Sequence, residues 1–270
     1  MTNCTSRRNA LRTFGGALAG ILSFSAAKTA KAVVQKGLVT TSAPKGYDPT
    51  KHKWLMGFDI DRCIGCGSCV EACKTENNVP QGASYFRTWI ERYIIKKPKP
   101  GSGEARGETI VDSPNGGRNG FPPSMVPREE ILKSFFVPKL CNLCVDSPCV
   151  QACPVGATFD SPDGVVLVDP KYCVGCGFCI QACPYGCRFM NPETKTADKC
   201  TLCYHRITRG LQPACVEVCP TEARIFGDLK NCAPEDPIMQ FIAKNKLQTL
   251  KPHLGTGPRV SYANMDKEVR

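Results

Sequence analysis

The sequence predicts an α+β fold, in which two small, fused, cysteine-built modules carry an inserted loop and a C-terminal tail. Three observations predict it. Nineteen cysteines in 270 residues are too many for ordinary structural thiols, and an odd number is not consumed by disulfides. Sixteen of the cysteines fall into four runs of four, and short apolar strands flank those runs. The chain is 42% hydrophobic and only 22% charged, which supplies a packed interior and excludes wholesale disorder.

The first run is Cys63, Cys66, Cys69 and Cys73, spaced C-x2-C-x2-C-x3-C. The second is Cys141, Cys144, Cys149 and Cys153, with an x4 insertion between its second and third members. The third, Cys173, Cys176, Cys179 and Cys183 followed by Pro184, is the bacterial ferredoxin pattern for a [4Fe–4S] cluster without deviation. The fourth is Cys200, Cys203, Cys215 and Cys219, with x11 in the middle. The spacing has a geometric reason. A tight C-x2-C-x2-C loop wraps three iron corners of a cubane, and its glycines let backbone amides approach the sulfurs. The fourth cysteine lies on a short helix that points away, so it reaches a second cluster. Two runs make one bacterial-ferredoxin-like module with two clusters. Four runs make two such modules and four [4Fe–4S] clusters. Zinc prefers paired C-x2-C units separated by a loop, a poor match to four consecutive three-plus-one runs. Disulfides would need distant partners for every run. Cys4, near the N-terminus, Cys187 and Cys232 stand outside the runs; Cys187, as a buried apolar filler, and Cys232, at the surface, are expected to be structural or inert thiols.

Residues 1–32 read as a leader. Ser6-Arg7-Arg8, with Leu11 and Arg12, is a twin-arginine sequence; a weakly apolar stretch follows over 14–27, and Ala30-Lys31-Ala32 is a small-x-small cleavage site. The stretch is short for a membrane span, which needs about 20 apolar residues. This export route carries folded, cofactor-loaded proteins. Cys4 precedes the apolar stretch and does not sit in a lipidation box. Residues 33–53 are expected to form an extended arm. Strands are expected at 54–60, 85–95, 164–170 and 223–227. Residues 96–130, rich in Gly, Pro, Lys and Asn, read as an inserted loop that contacts a partner or moves. Residues 233–270 read as a tail wrapped over something, with apolar periodicity only near 238–250.

From Lys53 to Ala263 the chain resembles the four-cluster iron–sulfur subunit of molybdopterin oxidoreductase complexes, of the polysulfide, tetrathionate or thiosulfate reductase type. The stretches FDIDRCIGCGSCVEACKTENNVPQG, PKLCNLCVDSPCVQACPVGATF, DGVVLVDPKYCVGCGFCIQACPYGCRF and ADKCTLCYHRITRGLQPACVEVCP carry the resemblance. Two departures are a long 96–130 insertion and Cys187 where the family often has alanine. The resemblance implies that the outer runs form one module (54–95 with 200–232) and the inner runs the other (131–199). It implies four ligand sets: Cys63, Cys66, Cys69 with Cys219; Cys73 with Cys200, Cys203, Cys215; Cys141, Cys144, Cys149 with Cys183; and Cys153 with Cys173, Cys176, Cys179. It also implies that the outer module faces a catalytic subunit and the inner one an integral membrane subunit that handles quinone. The chain would then be periplasmic and held at the membrane through a partner.

The function expected is an electron wire with no catalytic residues of its own. His52, His205 and His253 are the only histidines, and none neighbours a nucleophile or acid in sequence. The alternatives are the same wire in a non-molybdenum complex (linked to sulfite reduction, nitrite reduction or a hydrogenase), a free periplasmic ferredoxin, and an unaided enzyme. The formal charge of +11 gives no reason to expect nucleic acid. Loss of Arg7, Arg8, Arg12, Lys28 and Lys31 with the leader leaves +6. Four cubes, each about −2 with its thiolates, bring the total to about −2.

Overall fold

A computed structural model describes residues 43–269. The leader with Cys4, and residues 33–42 of the arm, lie outside the described residues. The elements run β1 (Trp54–Asp59), α1 (Ser68–Glu76), β2 (Thr88–Lys96), β3 (Thr109–Asp112), β4 (Ile131–Leu140), α2 (Pro148–Gln151), β5 (Thr158–Asp160) and β6 (Val166–Val168). They continue with α3 (Phe178–Gln181), β7 (Phe189–Met190), β8 (Ala197–Asp198), α4 (Tyr204–Ile207), α5 (Ala214–Glu217), β9 (Arg224–Asp228), α6 (Pro237–Lys244) and β10 (Val260–Ala263).

Apolar residues drive β1 into the centre of a three-stranded sheet, ordered β10-β1-β9. Met56 and Phe58 are wholly buried there, as are Val260 and Tyr262 on the parallel neighbour β10. The antiparallel neighbour β9 brings the strand after the fourth run beside the strand before the first, with Phe58 opposite Arg224. Helix α6 covers this sheet with Ile238 and Phe241. Its close approach needs glycine beneath it, since a Cβ on Gly227 would lie 2.2 Å from Ile238 Cγ2. Residues 237–244 and 260–263 of the expected tail are therefore a covering helix and a sheet strand. The apolar pair at 260 and 262 was too short a signal to be read alone.

A second sheet, β3-β2-β4, corrects the loop expected over 96–130. Residues 109–112 pair antiparallel with β2, setting Arg92 opposite Asp112, and the Arg92 guanidinium grips that carboxylate at 2.9 and 2.5 Å. Strand β4 runs along the whole of β2, from Thr88 opposite Leu140 to Lys96 opposite Ile131, with a bulge at 95–96. The boundary drawn at 131 cuts across this pair, because strand pairing between distant segments leaves no local mark. The inserted segment also packs on the first cysteine loop. Gly67 has φ 81°, and a Cβ there would lie 2.4 Å from the Gly117 carbonyl oxygen. Two small antiparallel hairpins, β5–β6 and β7–β8, flank the third run.

The described part of the arm folds back instead of extending. Tyr47, His52, Trp54 and Phe226 stack in series at 4.8, 5.2 and 5.1 Å between ring centroids. Tyr47 Oη donates to Asp163 at 2.6 Å.

At the C-terminal end, Asp266 accepts from Arg106 at 2.7 Å and from Lys133 at 3.0 Å, tying the final residues to the insertion. Burial alone would raise the Asp266 pKa, but these hydrogen bonds lower it below the usual carboxylate value. Its contribution to stability is therefore present above the unfolded value of about 3.9 and is lost as pH falls through the lower folded value. Asp266→Asn should cost about 1 kcal/mol at neutral pH and flatten the acid limb of a denaturation profile. Among the described residues, no helix is long and apolar enough to cross a membrane.

Candidate metal centres

Each run begins in a loop and ends on or beside a short helix, and the helices decide which cysteines meet. Pro154, Pro184 and Pro220 follow the fourth cysteines of runs two to four, where a helix cannot continue, and α2, α3 and α5 have four residues each. Run one has Lys74 at that place, and α1 continues for nine residues. Lys74 is almost fully buried, and its ammonium donates to the carbonyls of Pro80, Gly82 and Tyr85 at 2.7, 3.3 and 2.7 Å.

Cys63, Cys66, Cys69 and Cys219 line one small cavity, with Ile90, Pro138 and Arg224. Cys141, Cys144, Cys149 and Cys183 line another, with Asn142, Tyr185 and Arg188. Cys73 leaves its own run to join Cys200, Cys203 and Cys215; burial and then these three neighbours push its thiol far up. Cys153, Cys173, Cys176 and Cys179 remain. Helix α2, which ends just before Cys153, packs on α3, which carries Cys179. These sets are termed the first, third, second and fourth centres, in the order just given. Among the described residues, no three Cys, His, Asp or Glu side chains converge tightly enough to hold a single ion.

The surroundings fit a polyatomic anion made of iron and sulfide. Burial pushes Cys63 and Cys144 to about 11 and Cys215 to about 12, so these thiols ionise readily only against bound metal. Donors converge on the sulfurs. Arg188 Nη2 donates to Cys149 Sγ at 2.8 Å, the Leu202 amide to Cys200 Sγ at 3.4 Å, and the Ala197 amide to Cys173 Sγ at 3.4 Å. Asn77 Nδ2 reaches both Cys73 and Cys203, at 3.6 and 3.5 Å. A Cys187 hydrogen bond first, and backbone amides with it, lower Cys183 to about 5.

Of the bystanders, Cys187 is buried with its sulfur 3.2 Å from the Leu140 carbonyl oxygen, while Cys232 packs against the α6 cluster. His205 meets Glu76 at 2.6 Å, and Arg206 meets the same carboxylate at 2.9 Å. The buried cations Arg87, Arg188, Lys199 and Arg224 were missed from sequence. Arg188 directly follows Cys187 and Arg224 opens an apolar strand, which are the only local hints that they are buried.

Four thiol sets of this kind, held by paired short helices and small sheets, define a multi-cluster ferredoxin-type electron-transfer protein. Residues 132–229 match the family model described as a 4Fe-4S dicluster domain, and residues 54–75 match a 4Fe-4S binding domain. The chain is 43% identical over 216 residues to a subunit of the tetrathionate reductase of Salmonella typhimurium, covering 80% of this chain and 74% of that protein. It is 44% identical to a tetrathionate reductase subunit of Archaeoglobus fulgidus, over 80% of this chain and 87% of that one. It is 34% identical to one of the polysulfide reductase chains of Wolinella succinogenes, over 77% and 92%. The protein belongs to this family of iron–sulfur subunits of reductase complexes. It carries [4Fe–4S] clusters and is an electron-transfer subunit, not the catalytic one.

Proposed function

We propose that the chain passes single electrons along four centres in the order first, second, third, fourth, between a periplasmic molybdopterin subunit that reduces a sulfur compound and a quinone-reactive membrane subunit. The observation that carries this order is the sharing of helices. The first and second centres share α1, with Cys69 and Cys73, and α5, with Cys215 at its core and Cys219 just beyond it. The third and fourth share the helical segments of Cys149–Cys153 and Cys179–Cys183. Cys200 of the second feels Cys141 of the third. The clusters supply one-electron chemistry at potentials set by their surroundings.

The protein residues hold the thiolates, exclude water and leave the two ends accessible. Cys66 and Ile64 are exposed at the first centre. At the fourth, Cys176 is exposed beside Tyr172, Val174 and Phe178, which are 68%, 66% and 53% exposed. The thiols of the second centre, and three of the four of the third, are buried. Ports at both ends of an insulated middle suit a chain seated between two partners. The ligands are the sixteen run cysteines in the sets above, and the twin-arginine leader delivers the loaded chain. The relatives' names, tetrathionate and polysulfide reductase, suggest the substrate class of the catalytic partner. Pull-down from solubilised membranes should recover a large molybdopterin protein and a polytopic membrane protein. Recovery of a multihaem cytochrome or a hydrogenase would overturn the assignment of partner.

A further inference from the structure

The buried guanidiniums treat the first two centres differently. Arg224, on β9, is 3% exposed and lines the first cavity among Cys63, Cys69 and Cys219. Its Nη2 donates to Thr88 Oγ1 at 3.0 Å, and its guanidinium lies 4.9 Å from the Phe58 ring centroid. Its Nη1 is buried with no partner among protein atoms, and no carboxylate pairs with it among the described residues. A buried cation without a carboxylate is costly unless something else negative faces it. Here that is the thiolate set itself: Cys69 first, then Cys215 of the second centre, then Cys63 and Cys219, while the cavity that Arg224 lines is that of the first centre.

Arg87 approaches the second centre from the other side, near Cys73 and Cys200, yet its Nη2 sits 2.8 Å from Asp198. Its positive charge is cancelled where Arg224's is not. Another buried cation, Lys199, has no carboxylate partner among the described residues; it acts on the third centre and on the second, where it offsets part of the effect of Asp198. Lys199 donates to the Cys200 carbonyl and lies between the second and third centres, and Glu76 is already met by Arg206 and His205.

We propose that Arg224 raises the reduction potential of the first centre and Asp198 lowers that of the second, so that the electron rests on the first and only crosses the second. Adding one electron makes a centre one charge more negative. The uncompensated guanidinium, which also hydrogen-bonds the Cys69 thiol, stabilises that added charge. Neither residue touches a substrate; both act through the centres.

The inference rests on the ligand sets proposed above. It is tested by redox titration of the full-length loaded chain, followed by EPR, with iron counted in every sample. In Arg224→Gln, one signal should need a stronger reductant. Its reduced-to-oxidised ratio at fixed potential should fall at least tenfold, which is 59 mV for one electron. Arg224→Lys should restore most of the shift. Asp198→Asn should move a different signal the opposite way. Unshifted signals in a fully loaded Arg224→Gln chain, or an equal shift in Arg224→Lys, would overturn the role of Arg224. If Arg224→Gln fails to load, an unmoved signal in Asp198→Asn overturns the proposal instead. A wild-type chain with well under about sixteen iron overturns the ligand sets, not the charge argument.

Discussion

Cys73→Ser should abolish the proposed centre of Cys200, Cys203 and Cys215, while the centre of its own run should survive. Cys63, Cys66 and Cys69 look to Cys219, whereas Cys73 lies a helical turn further along α1, among the cysteines of run four. Cys215→Ser should therefore erase the same EPR signal as Cys73→Ser, and Cys69→Ser a different one. Each variant should lose about four iron of about sixteen, or leave a three-iron remnant. If Cys73→Ser and Cys69→Ser erased one common signal, the crossing of the runs would be wrong. The experiment separates neighbours in sequence from neighbours in space.

Lys74→Met should be among the most damaging substitutions outside the ligands. The ammonium serves three carbonyls at 80, 82 and 85, and lies 4.4 Å from the Phe86 ring centroid. Methionine keeps the apolar stem and removes every donor. Hydrogen bonds to a charged group contribute roughly 1.5–3 kcal/mol each, and the carbonyls left behind are buried, so a net loss of about 3 kcal/mol is expected in denaturant titration of the loaded chain. Desolvation lowers the Lys74 pKa, which offsets part of the gain. Lys74→Pro would restore the pattern of the other runs and should be worse. It places proline inside α1 and removes the same donors.

Much of the site was legible because cluster ligands are spaced by local geometry. The runs, the strands at 54–60 and 223–227, and the cysteine-to-helix layout need only neighbours within a dozen residues. The structure shortens the first strand to 54–59 and shifts the second by one residue to 224–228. What escaped the sequence reading is non-local. Strand β3 has four residues amid glycine and proline, and its identity depends on β2 alongside it. Strand β10 is equally short and joins β1 in parallel. The burial of Arg87, Arg188 and Arg224 depends on thiol sets assembled from distant runs. Arginine is an exposed residue by default, and only a cluster of thiolates makes its burial sensible. The arm shows the same limit, for Tyr47 finds Asp163 only once the hairpin β5–β6 exists.

The pairing of β1 with β9 and β10 has a consequence for biosynthesis. The chain emerges from the ribosome in order, and every thiol of the third and fourth centres has been made by Cys183. The first centre must wait for Cys219, and its sheet for Val260 opposite Met56. The molecule thus matures from the inside outward, and its early strand stays unpaired on one edge until the last segment arrives. Iron delivery to the inner pair can begin on a nascent chain. The outer pair has its full ligand set only once Cys219 has been made, and β10 joins the sheet beside it last.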